Sequence, residues 1–180
     1  MAHPEQKEFV EKVKNHYPDM FNKKKVVDFG SLDINGANKE HFTNCEYIGV
    51  DIGKGKNVDV ISKCHELECE PECFDVVITT EMLEHDMYWG KSLEKMVNIL
   101  KPKGLLIITC ATTGRPPHGV PSVNPDSSPL TVAIPEWQHH YKNLTAEDVT
   151  PHLLPSQNFS MYEHSVNVEH KDYQFYGIKK

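Results

Sequence analysis

The sequence has no long apolar run. No stretch approaches the ~20 consecutive apolar residues that a membrane-spanning helix needs, so no membrane partner is expected. Met1-Ala2-His3-Pro4-Glu5 lacks a basic region leading into an apolar core, which argues against an export leader and for a cytoplasmic setting. A basic excess is also missing: 19 Lys and Arg stand against 26 Asp and Glu, for a formal charge of −7. Such a balance gives no general attraction to phosphate backbones, and DNA is not an expected partner. There are no heptads, repeats or low-complexity tracts. Cysteines number five, an odd count that fits reduced thiols rather than a disulfide framework. The spacing of Cys64, Cys69 and Cys73 is not the paired two-residue gap of a zinc ribbon.

What is present is an ordinary globular mixture: 180 residues, 38% apolar and 25% charged. That length suits one domain over 1–180. The less usual count is 11 histidines.

Residues 4–17 read as an amphipathic helix, with Phe9, Val10, Val13 and Tyr17 at helical spacing and Pro18 as its stop. Short apolar runs follow at 26–29, 47–50, 58–61, 74–79 and 105–109. Runs apolar on both faces suit a buried parallel sheet. Leu93, Met96, Val97 and Leu100 mark a helix between the last two. Strand and helix alternation predicts an α/β sheet with helices on both faces.

Residues 115–135 hold half of the chain's 12 prolines, which predicts a long loop without regular elements, a candidate lid. Thr145 and Asp148 have the spacing of a capping box, flanked by Leu144 and Val149 as a hydrophobic staple. Two strand-like runs, 158–168 and 173–178, end the chain as an expected antiparallel pair.

In open α/β sheets a ligand sits beyond the C-terminal strand ends, at the point where strand order reverses. That rule gathers 28–38, Asp51 and Ile52, 62–66, and 79–86. Val27-Asp28-Phe29-Gly30, Tyr47-Ile48-Gly49-Val50-Asp51, the run Phe74 to His85, and Leu100 to Leu106 follow in order. This succession resembles the class I S-adenosylmethionine-dependent methyltransferases. Gly30 to Gly36, Thr113 to Gly119 and Tyr141 to Thr145 are similar to loops of a small type 11 subgroup.

The resemblance implies a Rossmann-like fold: a mostly parallel seven-stranded sheet with an antiparallel C-terminal hairpin. It also implies S-adenosyl-L-methionine as cofactor and S-adenosyl-L-homocysteine as product. The cofactor residues it implies are Asp28, Gly30, Ser31, Leu32, Asp51, Ile52, Cys64, His65, Thr80 and Glu81. Gly30 lets backbone approach the cofactor closely, and Asp51 can accept both ribose hydroxyls. Two departures stand out. Leu32 and Ile34 occupy places where the family has glycines, and Lys63 stands where many relatives carry an adenine-binding Asp.

Glu81-x-x-Glu84-His85 follows the fourth strand run. Glu81 and His85 share a face if a helix starts there. Three readings stay open: a divalent metal held by Glu81, Glu84 and His85, with a further ligand from His118, His139 or His140; an acid/base or acceptor contact; and a structural role. His118, His139, His140 and Glu81 are the candidate catalytic groups, since a histidine can take a hydroxyl proton near neutral pH. Arg115 would clamp an acidic group on the acceptor, with His118, Tyr141 and His85 beside it.

The leading expectation is methyl transfer to an oxygen or nitrogen of a small molecule or sugar-type acceptor. The alternatives are a metal-assisted RNA-ribose or quinone O-methyltransferase, a non-catalytic cofactor-binding module, and an NAD-binding oxidoreductase. The last lacks its G-x-G-x-x-G fingerprint. Finally, residues 64–86 carry eight carboxylates and no Lys or Arg, leaving the remainder at +1. Acidity and His65, His85, His118, His139 and His140 are therefore expected together at the cofactor rim.

Overall fold

The computed structural model describes residues 4–180. Helix α1 (Pro4–His16) buries Phe9, Val10 and Val13, one stripe of its surface. The strands are β1 (Lys25–Phe29), β2 (Glu46–Asp51), β3 (Val60–Ile61), β4 (Phe74–Thr80), β5 (Leu100–Ala111), β6 (Phe159–Asn167) and β7 (Asp172–Lys179). They form one seven-stranded sheet in the order β3-β2-β1-β4-β5-β7-β6. Strands β1 to β5 pair in parallel, and β7 is antiparallel to both β5 and β6. The expected parallel sheet with a terminal hairpin is borne out.

Alternate residues of each central strand serve opposite faces. Val26, Val76, Ile78, Leu105 and Ile107 pack with α1, Phe21 and Tyr176. Val27, Phe29, Val77, Leu106 and Ile108 pack with the apolar sides of α2 (Trp89–Ile99) and α4 (Ala146–Leu153). Helix α2 is the helix expected from Leu93, Met96 and Val97, but Leu100 already begins β5. Thr145 Oγ1 accepts from the Asp148 N–H at 3.3 Å and Asp148 Oδ2 accepts from the Thr145 N–H at 3.0 Å, so the capping box forms. Leu144 and Val149, its flanking pair, are fully buried.

Three expectations change. The third strand shrinks to two residues, 60–61, because Val60 and Ile61 lie on an exposed edge. The proline-rich stretch is not wholly irregular: a 3₁₀ turn at Pro125–Ser127 leads into the short helix α3 (Pro129–Val132). Both start at a proline, which the first helical turn tolerates because that N–H has no partner there anyway. The acidic stretch 64–86 also divides. Glu66, Glu68, Glu70 and Glu72 are exposed, and Asp75 accepts from the Lys25 N–H and pairs with Lys101. Only Glu81, Glu84 and Asp86 are buried beyond the β4 end.

Candidate functional site

The β1 crossover runs to β2 on one side while β4 lies on the other, so the strand order reverses between β1 and β4. A cleft of about 570 Å³ opens there, as the switch-point rule requires. Gly30, Leu32, Asp51, Ile52 and Cys64 line one side, and Glu81, Met82, His85 and Asp86 line the β4 side. Residues 127–131 and Trp137 close over it from the proline-rich segment.

The loop after β1 takes its shape without the family's glycines. Gly30 has φ +79°, and a Cβ there would lie 2.6 Å from Met82 Cβ, so glycine is required. The N–H groups of Gly30 and Ser31 donate to the Val50 carbonyl at 3.0 and 3.3 Å. Leu32 then turns its N–H to Asp51 Oδ2 at 3.0 Å, while Ile52 donates to Oδ1 at 2.8 Å. Asp33 accepts from the Gly36 N–H at 2.8 Å and pairs with Lys56 at 2.7 Å. Burial raises the Asp51 pKa against those two N–H bonds. A carboxylate has about four lone-pair sites, so Asp51 keeps acceptor capacity toward the cleft.

Asp28, Ser31 and Thr80 line an adjoining cavity of about 280 Å³ that shares Gly30 and Leu32 with the main cleft. Asn38 bridges Asp28 Oδ1 and Thr80 Oγ1 at 3.1 and 3.0 Å, and the Tyr47 hydroxyl donates to Asp28 Oδ2 at 2.6 Å. Burial still dominates and lifts Asp28 from 3.8 to about 7.

Beyond β4 the expected helical start is a 3₁₀ turn at Leu83–His85. Glu81 and His85 therefore do not stack as i, i+4 partners; the turn sets Glu84 beside Glu81 instead. Glu81 sits at φ +54°, a left-handed conformation that a non-glycine residue adopts at a cost of roughly 1 kcal/mol or more. Its N–H donates to the Thr109 carbonyl at 2.9 Å, and its Oε1 accepts from Thr109 Oγ1 at 3.3 Å. Burial, then the neighbouring Glu84, push its pKa well up, and burial raises Glu84 as well.

The rings of His85, His118 and Tyr141 meet edge to face behind the cleft wall, with centroids 5.0 to 5.5 Å apart. Burial, then His118, lower the His85 pKa to about 3. Burial also lowers His118.

Other expected residues fall elsewhere. Arg115 is turned inward: its Nη1 donates to the His170 carbonyl at 2.7 Å and to Asp172 Oδ1 at 2.5 Å, and its Nη2 lies 3.7 Å from Glu81 Oε2. It anchors the proline-rich segment to β7 and does not line the cleft. His139 is exposed and lines no part of the cleft. His65 packs against Tyr88 with tilted rings 4.5 Å apart, and His140 is half-buried beside Asp86, with burial lowering its pKa against the pull of that carboxylate. Of the five histidines expected at the rim, only His85 lines the cleft. Lys63 pairs with Glu66 at 3.0 Å at the surface.

Met82 and Asp86 lie in the 79–86 segment expected at the site and Leu130 in the candidate lid, but none of them has an individual role in the sequence pattern. Asp86 was the most findable, directly after the Glu-x-x-Glu-His run. It accepts from Ser92 Oγ at 2.5 Å and the Tyr88 N–H at 2.7 Å. The prolines of 115–135 marked a candidate lid, and the local pattern did not show which of its residues reach the cleft.

Residues 35–108 match the model of a type 11 methyltransferase domain family, in line with the resemblance read from the motifs. Among curated proteins, none matches this chain. Solved structures share its fold. Phosphoethanolamine N-methyltransferase 2 of Haemonchus contortus, in complex with phosphomonomethylethanolamine and S-adenosylhomocysteine, superposes with TM-score 0.65 at 15% identity. That match covers 96% of this chain and 52% of the other, so the chain spans about half the length of that protein. The CurJ carbon methyltransferase gives TM-score 0.58 at 16% identity over 94% of this chain and 52% of the other. The YcgJ protein of Bacillus subtilis gives 0.63 at 12% identity over 97% and 99%. At these identities the likeness is one of fold.

Proposed function

We propose, from the methyltransferase domain that this chain carries over residues 35–108 and the Rossmann-like sheet around it, that it transfers the methyl group of S-adenosyl-L-methionine. The observation that carries this reading is the Gly30–Asp51 wall of the switch-point cleft. Backbone can approach a ligand at Gly30, and a carboxylate oriented by two backbone N–H groups waits at the end of β2, where ribose hydroxyls would lie. Cys64, with backbone beside it, would border the adenine in place of the absent acidic group. Asp28, Ser31 and Thr80 would border the methionine end, as the small cavity joins the cleft there.

The protein's part in methyl transfer is alignment. The sulfonium is already reactive, and what must be supplied is an acceptor atom in line with the methyl carbon and sulfur, in a dry site. The acceptor is a small molecule or sugar-type compound, methylated at oxygen or nitrogen. The cleft is roofed by Ser127 to Thr131 and Trp137, which favours a compact acceptor over a polymer chain. In this reading the 115–135 segment acts as the lid, and His85 and Glu81 lie nearest the acceptor.

Calorimetry with S-adenosyl-L-homocysteine tests the cofactor assignment, and transfer of label from tritiated methyl donor to a panel of hydroxyl and amine metabolites tests the reaction. Saturable binding of the homocysteine product and none of NAD is the expected outcome. Binding of NAD alone would reverse the reading in favour of an oxidoreductase.

A further inference from the structure

Glu84 is wholly buried, and apart from the Glu81 carboxyl no side chain among the described residues bonds its oxygens. Its polar neighbour is the Glu81 carboxyl, and with both pKa values pushed up the two carboxyls share a proton. Three carboxylates, Glu81, Glu84 and Asp172, are buried together, and the one guanidinium among them, Arg115, reaches Asp172 at 2.5 Å and Glu81 at 3.7 Å. Among the described residues no cation pairs directly with Glu84. A buried carboxyl without a cation takes up a proton, and a metal ion can take that proton's place.

The groups next to Glu84 are metal ligands by type and by orientation. His85 is buried, and its Nδ1 has no hydrogen-bond partner. His118 Nδ1 lies 3.2 Å from the Pro116 carbonyl, which can only accept. The proton therefore sits on Nδ1, and Nε2 presents a lone pair. One ligand atom each from Glu84, His85 and His118 lies within 4.8 Å of the others. Ligands around one ion at ~2.1 Å are about 3.4 Å apart, so closure needs only small side-chain rotations. The backbone is shaped for this approach: Gly119 has φ +63°, and a Cβ there would lie 2.7 Å from His85 Cε1. The Tyr141 hydroxyl, also buried and unpartnered, stands by the same rings.

We propose that Glu84, His85 and His118 form a binding site for a divalent transition-metal ion, set in the inner wall of the cleft. Two imidazoles and one carboxylate suit zinc, cobalt, manganese or iron rather than magnesium or calcium, which prefer all-oxygen shells. Three protein ligands leave a coordination position open, and His85 is shared between this cluster and the cleft. Resting on the methyl-transfer reading, this selects a hydroxyl-bearing acceptor. Its O–H proton leaves to water, its oxygen forms the bond to the methyl carbon, and the C–S bond electrons return to sulfur. The ligand set differs from the one the local sequence suggests, because Glu81 is engaged by Thr109 and Arg115 while His118 arrives from 33 positions beyond His85.

Cobalt(II) is the probe. Full-length protein stripped with a chelator should bind one equivalent of cobalt, with the visible absorption of a low-coordinate site, and zinc should displace it. Glu84→Gln and His118→Ala should each weaken cobalt binding beyond the ~10- to 100-fold typical of losing an outer-shell partner. His164→Ala, an exposed histidine on β6, should not. Because Glu84→Gln replaces a buried proton-holding carboxyl with a neutral amide of the same shape, the stripped variant should melt no lower than the stripped parent, which separates lost binding from lost folding. Absence of stoichiometric cobalt binding, or equal binding by parent and both variants, overturns the site. Homocysteine-product binding measured on the same stripped protein keeps the two claims apart: product binding without cobalt overturns the metal site alone, and cobalt without product binding supports the site while overturning methyl transfer.

Discussion

Arg115 Nη1 lies 2.5 Å from Asp172 Oδ1, joining residues 57 positions apart. The contact fastens the loop after β5 to the first residue of β7, and the same guanidinium extends toward Glu81 on the cleft wall. The arginine is a buried counter-ion that ties the candidate lid to the sheet.

Replacing Arg115 should therefore unfold the protein more readily rather than raise an acceptor's KM. Arg115→Ala leaves Asp172 and Glu81 buried without their cation, and loss of one member of a buried pair lowers stability by about 3–5 kcal/mol. Urea unfolding measures it. A stability loss under 1 kcal/mol with a large rise in acceptor KM would restore a substrate-clamping role.

Asp51→Asn preserves shape and removes charge at the end of β2. If Asp51 receives ribose hydroxyls, the lost charge-assisted hydrogen bonds amount to about 1.5–3 kcal/mol, or roughly 10- to 150-fold in affinity for S-adenosyl-L-homocysteine. Calorimetry gives the number directly, and an unchanged Kd would remove Asp51 from the cofactor site.

Gly30→Ala combines a Cβ 2.6 Å from Met82 Cβ with a φ of +79°. Overpacking and the left-handed backbone together should lower stability by about 1–3 kcal/mol. Product affinity should fall in the same variant, because the loop that supplies Leu32 to Asp51 must move. Unaltered melting and binding would mean that the loop repacks freely.

Asp28 gives a pH dependence with a definite sign. Burial raises its pKa from 3.8 to about 7 in the folded chain, so the native state holds this proton more tightly than the unfolded state does. Its contribution to stability is complete below about 3.8 and is lost as pH rises through about 7. Across that window the parent should lose stability relative to Asp28→Asn by up to about 1.4 kcal/mol per pH unit. Unfolding curves of both proteins at several pH values check it. Parallel pH profiles would show that the Tyr47 and Asn38 hydrogen bonds keep Asp28 ionised throughout.

The local periodicities carried much of the fold. Val76-Val77-Ile78 and Leu105 to Ile108 announce buried strands because both faces are apolar, and helices on both sides of the sheet receive them. Thr145 and Asp148 announce a helix start because the cap is made within four residues. Gly30 and Asp51 were legible for the same reason: each ends a strand, and the sheet topology brings strand ends together. The shortening of the third strand to 60–61 and the helix at 129–132 were not foreseen, since their form follows from what they pack against.

The sequence by itself determined the element order, the switch-point glycine and acid, and the residue types available around the cleft. Tertiary structure alone decided which charges find partners. It gave Arg115 to Asp172 and Glu81, put His139 in solvent, left four of the acids between Glu66 and Glu72 on the surface, and set Glu84 with His85 and His118. Periodicity is a property of neighbours along the chain, whereas the energy of a buried charge depends on groups that reach it across the fold, and those distances exist only once the chain is packed.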